Sequence, residues 1–231
     1  MKQSPFLTAS PFLCLIALLT FTESSHAEMY VAGQLGVNIP NGYSDVSATG
    51  GSVNVTTSSL SQQNSMMYGA KLGYYFDSLN YEGFNLGVET EVFNSTPHIQ
   101  KQPFSANGSI GNLYGTLTGT FNGLNNRVLM WSPFTALVRH KSGAFEPYAG
   151  VGLGLFFSNL SGYGASASSD TAVGLNTQLG LKYHIADHLS MFGEWKYNYA
   201  KFQYNNIVGT AVNISANYSA NLLSFGIAYH F

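Results

Sequence analysis

The stretch from Ala172 to His184, AVGLNTQLGLKYH, decides the fold class. Its odd positions are Val173, Leu175, Thr177, Leu179, Leu181 and Tyr183; its even positions are Ala172, Gly174, Asn176, Gln178, Gly180, Lys182 and His184. One face is apolar and the other small or polar, with the two-residue period of a strand and not the 3.6 of a helix. The same split recurs at Phe84, Leu86, Val88, Thr90 and Val92 against Asn85, Gly87, Glu89 and Glu91. It recurs again at Tyr68, Ala70, Leu72, Tyr74 and Phe76 against Gly69, Lys71 and Gly73. Further strands fit 30–38, 146–157, 189–202 and 218–231. Asn126 to His140 is a strand by position, although Pro133 and a mixed pattern leave its facing open.

The connections alternate in length. Asp77–Gly83, Lys141–Ala144 and Ile185–His188 are short, whereas 39–65, 94–125, 158–171 and 203–217 are long and rich in Ser, Thr, Asn and Gly. Strict alternation puts every long loop at one end of an eight-stranded antiparallel up-and-down barrel and both termini at the other, the pattern of a transmembrane β-barrel. Leu113 to Phe121 alternates too, and fits either a hairpin projecting above the membrane or an extra strand.

A soluble barrel that holds a ligand shows the same alternation with its apolar face turned inward, so the other face must discriminate. In water that face needs abundant Lys and Glu. Here it carries Gly36, Gly69, Gly73, Gly87, Gly150, Gly152, Gly154, Gly174, Gly180 and Gly226 with scattered charges, which suits a cramped interior. Tyr74, Phe76, Phe84, Tyr183, Tyr229 and Phe231 gather near the tight-turn ends of the apolar face, as an interfacial girdle requires. The apolar face is therefore expected to meet lipid, with lipopolysaccharide or phospholipid as the partner.

Composition agrees. Of 231 residues only 9% are charged, 9 Lys+Arg and 11 Asp+Glu, while Gly reaches 25, Tyr 15 and Phe 16. No apolar run approaches the roughly 20 residues of a spanning helix. A net charge of −2 offers no basic footprint for nucleic acid. Residues 1–27 read as a cleavable signal peptide: Lys2 at the start, the apolar PFLCLIALLTF from Pro11 to Phe21, and Ser25-His26-Ala27 at the cleavage positions. The barrel domain then spans 28–231. The single cysteine, Cys14, falls inside that signal and lacks the small residues of a lipoprotein site, so disulfides and thiolate chemistry are not expected.

The closing octapeptide Ser224-Phe225-Gly226-Ile227-Ala228-Tyr229-His230-Phe231 resembles the C-terminal signal read by the outer-membrane barrel assembly machinery, with Ser224, Gly226, Tyr229 and Phe231 at the matching positions. With GAFEPYAGVGLGLFF (143–157) and TQLGLKYHIADHLSMFGEWKY (177–197), the chain is similar to the eight-stranded outer-membrane barrel family that includes OmpA-like, OmpX/Ail-like and opacity-type proteins. The resemblance implies a Gram-negative outer-membrane location, periplasmic termini, extracellular loops, and the assembly machinery as a partner. It implies a scaffold whose loops meet a host or cell-surface ligand, and it does not extend to a cell-wall-binding domain after the barrel. Fold by itself does not choose the function.

The alternation turns Lys71, Glu89, Glu91, Asn176, Gln178, Lys182, Glu194 and Lys196 inward, where isolated charges are costly, so a polar network is expected. Symmetric turns would set Lys71 opposite Glu89, Gln178 opposite Glu194 and Asn176 opposite Lys196. The network has a structural reading, a plug, and a functional one, a narrow ion-conducting pore. Ser190, His188 and Glu194 invite a lipid A-modifying hydrolase reading, but His188 falls in a tight turn and nothing around them matches a hydrolase pattern. No catalytic residue, cofactor or metal site is assigned: His98, His140, His184, His188 and His230 are scattered, and Gly150-Val151-Gly152-Leu153-Gly154 continues into strand and not helix.

Overall fold

The structure, a computed structural model, describes residues 27–141, 143–162, 165–205 and 212–231; the expected signal peptide lies outside them except for Ala27. The elements are β1 (Ala27–Gly50), β2 (Val53–Leu60), β3 (Ser65–Tyr81), β4 (Phe84–Ser95), β5 (His98–Ile99), β6 (Gln102–Ile110), β7 (Leu113–Phe121), β8 (Leu124–His140), β9 (Phe145–Gly162), β10 (Ala165–Ala186), β11 (Leu189–Tyr204) and β12 (Asn213–His230). Eight form a closed antiparallel ring in the order β12-β11-β10-β9-β8-β4-β3-β1, sealed by β1 against β12 from Tyr30↔His230 to Thr49↔Asn213. Closure leaves the ring no unpaired backbone edge, which hydrocarbon demands.

The apolar face points out. Leu153 is 64% exposed and Phe225 73%, whereas Lys196 is fully buried and Glu91 is 1% exposed. This overturns the soluble ligand-binding alternative, in which those faces would exchange. Phe145 packs beside Tyr183 at 4.8 Å and Tyr229 beside Phe231 at 5.1 Å, near the tight-turn end of the outer face. The inward glycines make room for rings: a Cβ at Gly73 would fall on Tyr30, at Gly180 on Tyr148, and at Gly87 on Tyr75. Large residues thus fill space that small neighbours vacate, giving a packed interior.

Three expectations change. The segments expected as loops are largely strand: β1 and β2 form a hairpin across 39–65, β9 and β10 run to Gly162 and from Ala165 through 158–171, and β11 and β12 extend beyond a crossing of about 9–11 residues. Leu113 to Phe121 is β7, the second arm of a hairpin with β6, and β6 pairs with β2. The barrel wall therefore continues outward as a sheet of β1, β2, β6 and β7, its two turns joined by Gly111 N–H donating to Ser52 O at 2.7 Å.

Second, β8 has no single parity. Between Trp131 and Phe134 its register with β9 slips, so Leu129 and Trp131 face out at odd positions while Phe134, Ala136 and Val138 face out at even ones. Pro133 cannot donate to a ladder, and the slip at Pro133 explains the mixed pattern. Third, the registers differ from symmetric turns. Extra residues in β3 between Phe76 and Asn80 set Lys71 opposite Glu91. An irregularity beside Ala186↔Leu189 sets Gln178 opposite Lys196, Gly180 opposite Glu194 and Asn176 opposite Asn198.

Candidate functional site

Inside the ring the side chains form layers. At the mouth on the tight-turn side Arg139, now inward because of the β8 slip, meets Glu28 at 2.5 Å and Glu146 at 3.2 Å. The guanidinium lies 3.8 Å from the Tyr75 ring centroid. Lys182 is 3% exposed, with its ammonium 4.3 Å from the Tyr30 centroid and 5.2 Å from that of Tyr75. Facing the negative side of a ring partly offsets the burial of its charge.

At mid-depth β3, β4 and β11 bring their charges together. Lys71 Nζ is 2.6 Å from Glu194 Oε2 and 3.3 Å from Glu89 Oε1, and Lys196 pairs with Glu91 and, at 2.9 Å, with Glu194. Three more strands supply neutral donors: Tyr30 OH to Glu89 at 2.5 Å, Tyr148 OH to Glu194 at 2.8 Å, Gln178 Nε2 to Glu89 at 2.9 Å, and Gln34 to Glu91. Lys71 meets Glu89 diagonally although Glu91 lies opposite it, because long side chains reach to neighbouring rungs. Asn176 is buried on the same face, yet its amide has no hydrogen-bond partner among the described residues.

Above this lies an apolar layer. Met67, Phe93, Met130, Phe156, Ala200, Phe202 and Leu222 are all at most 2% exposed and belong to one cluster. A hydroxyl and amide layer covers it: Tyr43 OH lies 3.1 Å from Tyr204 OH, Asn126 donates to Tyr43 at 3.0 Å, and Ser158 lies 2.6 Å from Tyr204. This layer stands beyond the apolar outer band, and burial pushes the Tyr204 hydroxyl up to about 12. A path through the axis would cross charges, then a dry layer, then phenols.

The mouth also holds a serine-histidine-carboxylate chain absent from the sequence reading, which paired Ser190 with His188 and Glu194. Ser190 Oγ is 2.7 Å from His230 Nε2, and His230 Nδ1 is 2.8 Å from Glu28. Two features separate it from a hydrolytic triad. Ser190 has no exposed surface, and the His230–Glu28 contact lacks hydrogen-bond alignment, leaving the tautomer unset. His188 instead contacts the His230 carbonyl at 3.0 Å through Nδ1, and Glu194 is taken up by the two lysines. Among the described residues no cluster of His, Cys, Asp and Glu is arranged for a metal.

The C-terminal positions divide by face. Ser224 Oγ donates to Gln34 Oε1 at 3.4 Å and Gly226 lies under Phe192, while Tyr229 and Phe231 face outward. The sequence reading missed Glu28, Tyr30, Gln34, Arg139, Glu146 and Tyr148. The parity of Glu146 and Tyr148 was available from 146–157; that of Arg139 was hidden by the slip.

The family described as outer membrane protein beta-barrel domain matches residues 8–231. No curated protein sequence matches the chain. Among solved structures, OprG from Pseudomonas aeruginosa superposes with a TM-score of 0.54 at 16% identity, covering 89% of this chain and 96% of that one. Neisserial surface protein A gives 0.46 at 14% identity, over 90% and 100% of the two chains. Ail of Yersinia pestis gives 0.44 at 12%, again over 90% and 100%. At such identity the likeness to OprG bears on fold alone.

Proposed function

The chain belongs to the outer membrane protein β-barrel family and is a protein of the Gram-negative outer membrane, and from that premise we propose that it is a closed scaffold displaying its extracellular sheet for contact with other surfaces. One observation carries this reading: the interior is occupied through its depth by the ion-pair network and the apolar layer over it, while the wall continues beyond the membrane as β2, β6 and β7. A rigid base that holds a projecting sheet at fixed height is what presentation requires. In this reading residues 1–27 direct export, the C-terminal strand engages the assembly machinery, and lipopolysaccharide or phospholipid surrounds the barrel.

The pore reading has the mid-depth charges in its favour, but ions would have to cross Met67, Phe93, Met130, Phe156 and Phe202 without a polar partner. Protease treatment of intact cells tests the scaffold reading. Cleavage confined to 39–65, 94–125, 158–171 and 203–217, leaving a core whose gel mobility shifts on boiling, is the expected result. Complete protection, or steady single-channel conductance from the purified barrel, would overturn it.

A further inference from the structure

The ring has no edges, but its outward branch has one. Among the described residues β7 pairs only with β6, without a slip from Gln102↔Phe121 to Ile110↔Leu113. Natural edges are usually blunted by charge, proline or a bulge. This one has none of the three: no Lys, Arg, Asp or Glu lies between Lys101 and Arg127, and β7 reads LYGTLTGTF. Ile110 and Leu113 close a two-residue turn opened by Gly111 at φ +62°. Leu113, Gly115, Leu117, Gly119 and Phe121 therefore aim their backbone groups at β6, and Tyr114, Thr116, Thr118 and Thr120 aim theirs at open space.

The edge is symmetric about Leu117. An antiparallel copy centred there sets Leu117 against Leu117, Gly115 against Gly119, Thr116 against Thr118, Tyr114 against Thr120 and Leu113 against Phe121. Small residues meet small ones, threonines meet across the strands, and each outward N–H and C=O finds a partner. Leu117 and Phe121 share the face of Phe104 and Ala106, so pairing extends one apolar surface.

We propose that β7 is a self-pairing edge that accepts the β7 of a second copy of this chain in an opposing membrane. The proposal rests on the scaffold reading and names its partner. The direction follows from the topology. β7 carries the chain toward the membrane that β8 then enters, so an antiparallel partner carries its chain toward a membrane on the other side. One such edge is small, but many copies on two apposed cells act together.

Leu117→Cys tests this, since the sequence holds no cysteine besides Cys14. The full chain, with Leu117→Cys, is expressed with an epitope tag in one cell population and without it in another, in hosts lacking long surface polysaccharide. The populations are mixed and mildly oxidised, and dimers are read on a non-reducing gel. A tagged–untagged dimer is expected from Leu117→Cys. Tyr114→Cys should give none, because in this register its copies lie six residues, about 20 Å, apart. Adding Thr118→Pro, which removes one outward N–H, should abolish the dimer while the boiling shift persists. Equal dimer from both cysteine variants, dimer only within one population, or none at all would overturn the proposal. If intact cells carrying Leu117→Cys do not react with a membrane-impermeant maleimide, the scaffold reading itself fails.

Discussion

Lys71→Met should be the most destabilising single change in the mid-depth network. Its ammonium lies 2.6 Å from Glu194 and 3.3 Å from Glu89. At an effective dielectric constant near 20 these distances correspond to gross attractions of about 6 and about 5 kcal/mol. Much of that offsets the desolvation of the groups themselves, and removing one member of a buried pair costs about 3–5 kcal/mol because the partner is left charged and unpaired. Glu89 retains Tyr30 and Gln178, and Glu194 retains Tyr148 and Lys196, which favours the lower end. Urea unfolding of the barrel in lipid, followed by the gel shift, reads the loss: for a slope of about 2 kcal/mol/M, the midpoint should fall by about 1.5 M. Lys71→Met combined with Glu194→Gln should recover part of it, since one charge of each sign is then gone. A single variant that unfolds with the parent, or a double variant weaker than the single, would refute the argument that pairing offsets burial here.

Gly180→Ala should cost about 1–3 kcal/mol in the same assay, because the added methyl falls on the Tyr148 ring, and Tyr148→Leu in the same chain should restore part of it. Phe156→Ala with Phe202→Ala removes two rings of the apolar layer; bilayer recordings should show steps in this variant and none in the parent, and conductance in both would show that the layer is no barrier. Deleting Phe231 should lower the folded fraction in the outer membrane of cells, measured by the boiling shift, and unchanged assembly would remove Phe231 from the signal. Tyr204 is held protonated by burial, its hydroxyl raised to about 12, so the native state resists losing a proton that the unfolded chain releases near pH 10. That contribution is complete below pH 10 and disappears as pH climbs to 12; Tyr204→Phe should flatten the stability profile there, and an unchanged slope would contradict it.

The alternation from Ala172 to His184 was enough to establish strands, and the same period along the other segments an apolar outer face and an inward Lys71, Glu89, Glu91, Gln178, Lys182, Glu194 and Lys196, because which side of a pleat a residue occupies depends only on its own strand. What each inward residue touches depends on two strands and the turn between them. The irregularities after Phe76 and beside Ala186 moved the partners of Lys71 and Gln178 by two positions with no mark in the period. Only ring closure brings Glu28 to His230 and, 111 residues away, to Arg139, while Ser190 meets His230 through the β11–β12 register. Likewise, Ser-, Thr- and Asn-rich segments resemble loops in composition, and became a projecting sheet because β1 continues past the membrane and offers β2, then β6 and β7, an edge to pair with. Facing was therefore local and, outside the slipped β8, readable from the sequence; partnership was decided by register and closure, which are properties of the whole barrel.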